Sequence, residues 1–166
     1  KKEYFTITGQ ANDDDDDFEA RMNSFNEWYV LQFVSMRGTR TVISDYLINN
    51  PVDDFLAKAL AGVNYSLYEY VGKNLRGYDT LLDMLHDRKV ALPKGGSFPS
   101  IIKGDIFVGR ILTYEKENYL MNGLCVIPKE VRAILKKECK RVRKLKNPGE
   151  ELKFLLKIES LKTNWI

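Results

Sequence analysis

The residues best suited to chemistry stand together at Asp83-Met84-Leu85-His86-Asp87. Asp83 and His86 are three apart, the spacing of ligands on one helical turn, and a His-Asp pair can serve metal-dependent phosphoester hydrolysis. Such centres need further histidines, and the chain has one. A metal here would rest on carboxylates, with Asp105 added, and the hard cations Mg²⁺ or Ca²⁺ would suit it. Asp83, His86, Asp87 and Asp105 are therefore the candidate catalytic set of a carboxylate-metal hydrolase. The same residues also fit a polar turn between two apolar strands.

Other short motifs lack their context. Ser100-Ile-Ile-Lys103 has the spacing of a serine acyl-enzyme, which requires a helix at that point, but it leads into a strand pattern. Gly95-Gly96-Ser97 is part of a loop rich in breakers and has no phosphate-binding lysine. Asp13 to Asp17 lack the alternating ligands and central glycine of a Ca²⁺ loop and read as a solvated tail. Cys125 and Cys139 fall on apolar positions, so free buried thiols are expected. The Asn64-Tyr65-Ser66 sequon matters only in a secreted protein. No catalytic residue is assigned outright, and no cofactor or metal is expected.

Charge placement says more. The net charge is +3, from 26 Lys+Arg and 23 Asp+Glu. Residues 1–20 carry a net −5, and residues 129–146 a net +7. In the second block Val131, Ile134, Leu135, Cys139, Val142 and Leu145 recur at helical spacing. Lys136, Lys137, Lys140, Arg141, Arg143, Lys144 and Lys146 then fall on the other side of the same helix. A cationic stripe of this kind can bind phosphate backbones by counterion release or meet an acidic protein. It can also be an ordinary solvated face, or be neutralised by the aspartate run.

These residues must be positioned by a larger framework. At 166 residues, 44% apolar and 11% aromatic, the chain can bury a core without disulfides. Residues 1–17 are expected to form a mobile acidic arm, with strand-like composition at residues 3–8, and 18–166 a single domain. Phe18, Met22, Phe25, Tyr29, Phe33 and Met36 mark one helical face, expected to be the central helix. A short helix from Thr41 to Ile48 comes next. Asn50 is expected to cap the succeeding helix, with Pro51 at its first position and Val52, Phe55, Leu56, Ala59, Leu60 and Val63 facing the core.

The period then falls to two. Tyr65 to Val71, Thr80 to Leu85, Lys89 to Leu92, Gly104 to Tyr114 and Tyr119 to Ile127 read as strands, with bulges expected at Gly109 and Gly123. A helix starts at Pro128, and a last one runs from Glu150 with Leu152, Leu155, Ile158, Leu161 and Trp165 as its stripe. Helices, then strands, then helices predict an α+β fold: N-terminal helices, a curled antiparallel sheet of about five strands and two C-terminal helices.

The succession Phe25-Asn-Glu-Trp28-Tyr29, Gly38-Thr39, Asp45-Tyr46-Leu47, Ser66-Leu67-Tyr68-Glu69, Leu81-Leu82-Asp83-Met84-Leu85 and Gly104-Asp105-Ile106-Phe107-Val108-Gly109-Arg110 resembles a family of uncharacterised bacterial proteins. Some of these carry a C-terminal SEC-C zinc motif, whose cysteines and histidine are missing here, so no zinc is implied. The likeness covers about 25–113. It implies a bacterial, cytoplasmic protein and brings no activity.

A chain that opens on Lys1 and closes inside an apolar pattern is expected to be a fragment of a longer one. No apolar run reaches membrane-spanning length. The resulting expectation is a non-catalytic interaction or regulatory domain that binds nucleic acid or an acidic protein through the basic helix. The alternatives are the carboxylate-metal hydrolase and a structural or assembly domain, with homo-oligomers formed through the C-terminal helix.

Overall fold

Period-two patterning becomes sheet. The computed structural model describes residues 1–96 and 98–163. Its strands are β1 (Asn64–Lys73), β2 (Asp79–Asp83), β3 (Arg88–Ala91), β4 (Ile106–Tyr114), β5 (Glu117–Leu120) and β6 (Cys125–Ile127). The first five form one curled antiparallel sheet in the order β3-β2-β1-β4-β5, and β6 also pairs with β4. Together with six helices this gives the expected α+β class. The tight β4–β5 hairpin turns at Glu115 and Lys116, both left-handed at φ 46° and 72°. That backbone twist matches the strands it joins. The strand expected over Tyr119 to Ile127 is broken at 121–124, where the chain leaves β4 and returns as β6. The bulge lies on β1, between Tyr70 and Gly72, rather than at Gly109 or Gly123.

One sheet face packs on two helices, α5 (Arg132–Leu145) and α6 (Pro148–Thr163). Leu67, Leu85, Ile106, Val108 and Ile127 meet Leu135, Cys139, Val142, Leu155 and Ile158 in the main core. Each such fully buried aliphatic contributes about 1.5–3 kcal/mol of transfer free energy. The other face holds Tyr68, Leu81, Phe107 and Ile111 under the loop residues Phe98, Ile101 and Leu124. No helix among the described residues is long and apolar enough to cross a membrane.

The N-terminal part departs most from expectation. Residues 3–8 are neither strand nor loose arm: they lie in α1 (Lys2–Thr8), with Tyr4 and Phe5 buried against Trp28 and Leu156. The next helix, α2 (Phe18–Leu31), stops five residues short of Met36. Gln32 and Phe33 both donate backbone N–H to the Trp28 carbonyl at 2.9 Å, and the Phe33 ring folds back to 5.0 Å from the Trp28 ring. Met36 is left fully exposed. The central helix is instead α6, which touches α1, α5 and strands β1, β4 and β6.

Thr41 caps α3 (Val42–Asn49) by accepting from the Ser44 N–H. Asn50 ends this helix, and Asp53 caps α4 (Asp54–Ala61) through the Leu56 N–H at 2.9 Å, so Pro51 precedes the helix it was expected to open. Of the expected core face of α4 only Ala59 is buried, and Phe55 is exposed. Pro148 starts α6 directly, with Asn147 accepting from the Gly149 and Glu150 N–H groups. Trp165 lies outside the described residues.

Candidate functional site

The charged face expected beyond Pro128 forms on α5. At about 100° per residue, Lys136, Lys137, Lys140, Arg141 and Lys144 occupy an arc of roughly 140° opposite the buried Leu135, Cys139 and Val142. All five are exposed. They span about 12 Å along the axis. The other two expected members stand apart. Arg143 is half-buried, with its guanidinium 3.3 Å from Asp87. Lys146 is the left-handed C-cap at φ 49°.

The ridge is held at both ends. Arg132 makes a bidentate pair with Glu69 of β1 at 3.0 and 2.8 Å. Lys129, in the 3-10 turn Lys129–Val131, pairs with Asp105 at 2.9 Å. Arg143 ties the far end to the β2–β3 turn. The aspartate run does not cancel the ridge: Asp17 pairs with Lys162 of α6 at 2.5 Å. Among the described residues no ion pair joins Asp13–Asp17 to α5, and Arg141–Glu138 is the one local pair on the ridge. At about 8 Å screening length, a ridge with so few partners keeps its field mainly for ligands that touch it.

The runner-up catalytic set is divided between two places. Asp105 sits before β4, on the far side of β1 from β2, and is occupied by Lys129 and the Ile102 N–H at 2.7 Å. Asp87 is exposed and faces Arg143. Asp83 is fully buried and accepts from Ser66 Oγ at 2.5 Å, from the His86 N–H at 3.0 Å and from Asn64 Nδ2 at 2.9 Å. Its carboxylate also meets His86 Nδ1 at 2.9 Å and Arg88 Nε at 3.4 Å, and His86 Nε2 lies 3.2 Å from Glu151 of α6. No three His, Cys, Asp or Glu side chains among the described residues are placed to hold a metal. Ser66 is buried and donates to Asp83, so it is not a nucleophile poised on the imidazole. This cluster is a clamp between the β2–β3 turn and the start of α6. Asn64, the sequon residue, also donates to Tyr68 Oη at 2.6 Å and is committed to the same network.

The clamp titrates. Burial pushes the Asp83 carboxyl up, but the His86 ring, Ser66 and the His86 N–H outweigh it and bring its pKa to about 2. The Asp83 contact raises the His86 pKa, against a smaller opposing effect of burial, and Glu151 adds to the rise. A lowered carboxyl contributes stability that is complete above about pH 5 and is lost towards pH 2. A raised imidazole contributes stability that is complete below its unfolded value of about 6.5 and is lost as pH rises through the folded value. Stability is therefore expected to peak between about pH 5 and 6.5. The acid limb is worth about 2 kcal/mol, checked by urea midpoints against pH. Asp83→Asn is expected to flatten the acid limb, and His86→Gln the alkaline one.

A second buried polar group was not anticipated from the sequence. Glu159 of α6, 4% exposed, accepts from Tyr4 Oη, from Tyr65 Oη at 2.6 Å and from Ser24 Oγ at 3.4 Å. Burial, and after it the Glu159 charge, raises both tyrosine hydroxyls. Arg110, 0% exposed, lies 4.0 Å over the Tyr65 ring. It donates to Gln32 Oε1 at 2.8 Å and reaches Glu27 at 3.5 Å. Glu27 in turn accepts from the Gly123 N–H at 2.7 Å. The signal was a lone cation inside the apolar run Ile106–Leu112, and a lone acid one turn after Leu155. Both thiols are buried. Burial chiefly raises them, Cys139 to about 12, so neither is a thiolate at neutral pH. No family model, curated protein or solved structure matches the chain.

Proposed function

We propose that this domain is a non-catalytic interaction module that engages an extended negative surface, of nucleic acid or of an acidic protein, through the outward ridge of α5. The observation that carries this reading is the ridge itself: five exposed cations on one arc, on a helix fixed to the sheet by Arg132–Glu69 and Arg143–Asp87. A helix already fixed to the sheet loses little backbone order when it meets its ligand, so the ordering cost falls on the side chains alone, about 0.5–1.5 kcal/mol for each one immobilised. In the other polar clusters the carboxylates of Asp83, Glu27 and Glu159 are each engaged by neighbouring donors, which favours binding over catalysis.

The test is the quadruple replacement of Lys136, Lys137, Lys140 and Arg141 by glutamine. These side chains are exposed, so the unfolding free energy from urea denaturation is expected to change by no more than about 0.5 kcal/mol per replacement. Affinity for a labelled oligonucleotide or for polyglutamate is expected to fall about 30-fold at low salt, and the slope of log K against log salt to flatten by about 3. Unchanged affinity and slope for both probes would remove the reading.

A further inference from the structure

Beside the ridge, α5 and α6 leave an open trough of about 300 Å³. Its floor includes Ile134, Leu145, Phe154, Ile158 and Leu161. Two of these are unusually wet for core-type residues: Ile134 is 64% exposed and Leu145 49%. The sequence places both on the apolar stripe of α5, yet neither α6 nor the sheet covers them. They lie on the flank of α5 between its buried side and its ridge. An exposed aliphatic strip with a charged border marks an interaction surface.

The border gives the occupant its chemistry. Arg141 stands on the α5 rim, and Lys153 and Lys157 on the α6 rim. Arg141 and Lys153 have intrahelical partners in Glu138 and Glu150, which share the border, while Lys157 makes no ion pair within 4 Å among the described residues. The rim thus carries three cations against two anions, and the ridge adds Lys136, Lys137, Lys140 and Lys144 alongside. A phosphate backbone would use the ridge and leave the aliphatic floor wet. Single-stranded bases would need aromatic platforms, and the floor has one ring, the half-buried Phe154. From Ile134 to Leu145 the floor runs about 16 Å along the helix. That length takes apolar side chains spaced i, i+4, i+7 and i+11 on another helix.

We infer that the trough between α5 and α6 docks an amphipathic helix of a protein partner, its apolar stripe on Ile134 and Leu145 and its flanking acids on Arg141, Lys157 and the ridge. This rests on the reading of α5 as a binding surface and narrows the partner to an acidic, helix-forming segment.

The probe is a peptide of about 15 residues with leucines at that spacing and glutamates elsewhere, measured by fluorescence anisotropy beside a labelled oligonucleotide. The variant is Ile134→Ser with Leu145→Ser; both side chains are exposed, so folding is retained and is checked by the urea midpoint. The peptide is expected to bind the unmodified domain, to bind the double variant about 30-fold more weakly, and to be weakened also by the ridge variant. Oligonucleotide affinity is expected to be the same in the floor variant. Equal peptide affinity for the two proteins would overturn the inference. Oligonucleotide binding without peptide binding would overturn it and leave the α5 reading standing, whereas no binding of either probe would end both. Self-association that disappears in the floor variant, seen by sedimentation without peptide, would give the trough to a second copy and overturn the inference as well.

Discussion

Arg110→Ala is expected to lower folding stability by about 3–5 kcal/mol, read from urea denaturation. The side chain is fully enclosed, so its loss leaves a cavity beneath the Tyr65 ring. It also leaves Gln32 Oε1 without its donor and Glu27 without its cation. Burial already raises the Glu27 carboxyl, opposed by the Gly123 N–H and by the Arg110 charge. Without the guanidinium, Glu27 is expected to take up a proton at higher pH, and the variant's deficit to grow from acid to neutral conditions. Arg110→Met combined with Glu27→Gln keeps the volume and removes both charges. It is expected to recover more than half of the loss. A double variant no better than Arg110→Ala would show that neither the lost volume nor the orphaned carboxylate accounts for the deficit, and that the Arg110 pairing itself is what stabilises the site.

Gly123→Ala is expected to cost about 3 kcal/mol, the upper part of the range for overpacking. A Cβ at this position would stand 2.6 Å from Ser24 Cα, 2.7 Å from Ser24 N and 2.6 Å from Glu27 Oε2. Two of these are backbone atoms of α2 and cannot swing aside. The 121–124 loop would have to withdraw from α2, lengthening the Gly123 N–H bond to Glu27 and loosening the group that holds Arg110. Gly38→Ala is the comparison, because its Cβ would meet nothing closer than 3.7 Å. It is expected to stay within about 0.5 kcal/mol of the unmodified chain. Equal urea midpoints for Gly123→Ala and Gly38→Ala would mean that the loop does not bear on α2.

The strands and α5 were legible because their burial is one-sided or two-sided in a regular way. Tyr65 to Val71 is rich in aromatic residues and is buried on both faces from Tyr65 to Glu69, Gly104 to Tyr114 is nearly continuous, and Val131, Leu135, Cys139 and Val142 repeat at helical spacing. Period alone carries such elements. The first helix was not legible, because Lys2–Thr8 contains two threonines and an isoleucine, and seven residues cannot sustain a helix alone. Its conformation comes from burying Tyr4 and Phe5, a tertiary effect with no local trace. The end of α2 was hidden for a related reason: Phe33 continues the spacing of Phe25 and Tyr29, but reaches Trp28 by leaving the helix. The ridge was readable from charge at fixed spacing, apart from Arg143, whose partner Asp87 lies 56 positions away. The trough was not readable, because nothing in the order of residues says that Ile134 and Leu145 of the α5 stripe stay exposed beside α6.

The hydroxyl of Tyr4 has a further consequence. It reaches Glu159 from the opposite end of the chain, 155 positions away, and contributes one of the three donors around an acid that has almost no water to turn to. Trimming the first eight residues would not simply shorten the molecule; it would uncover a greasy hollow and strip a donor from an anion left inside it. Tags and fusions are therefore safest when they extend outward from Lys1 and leave the helix behind it whole.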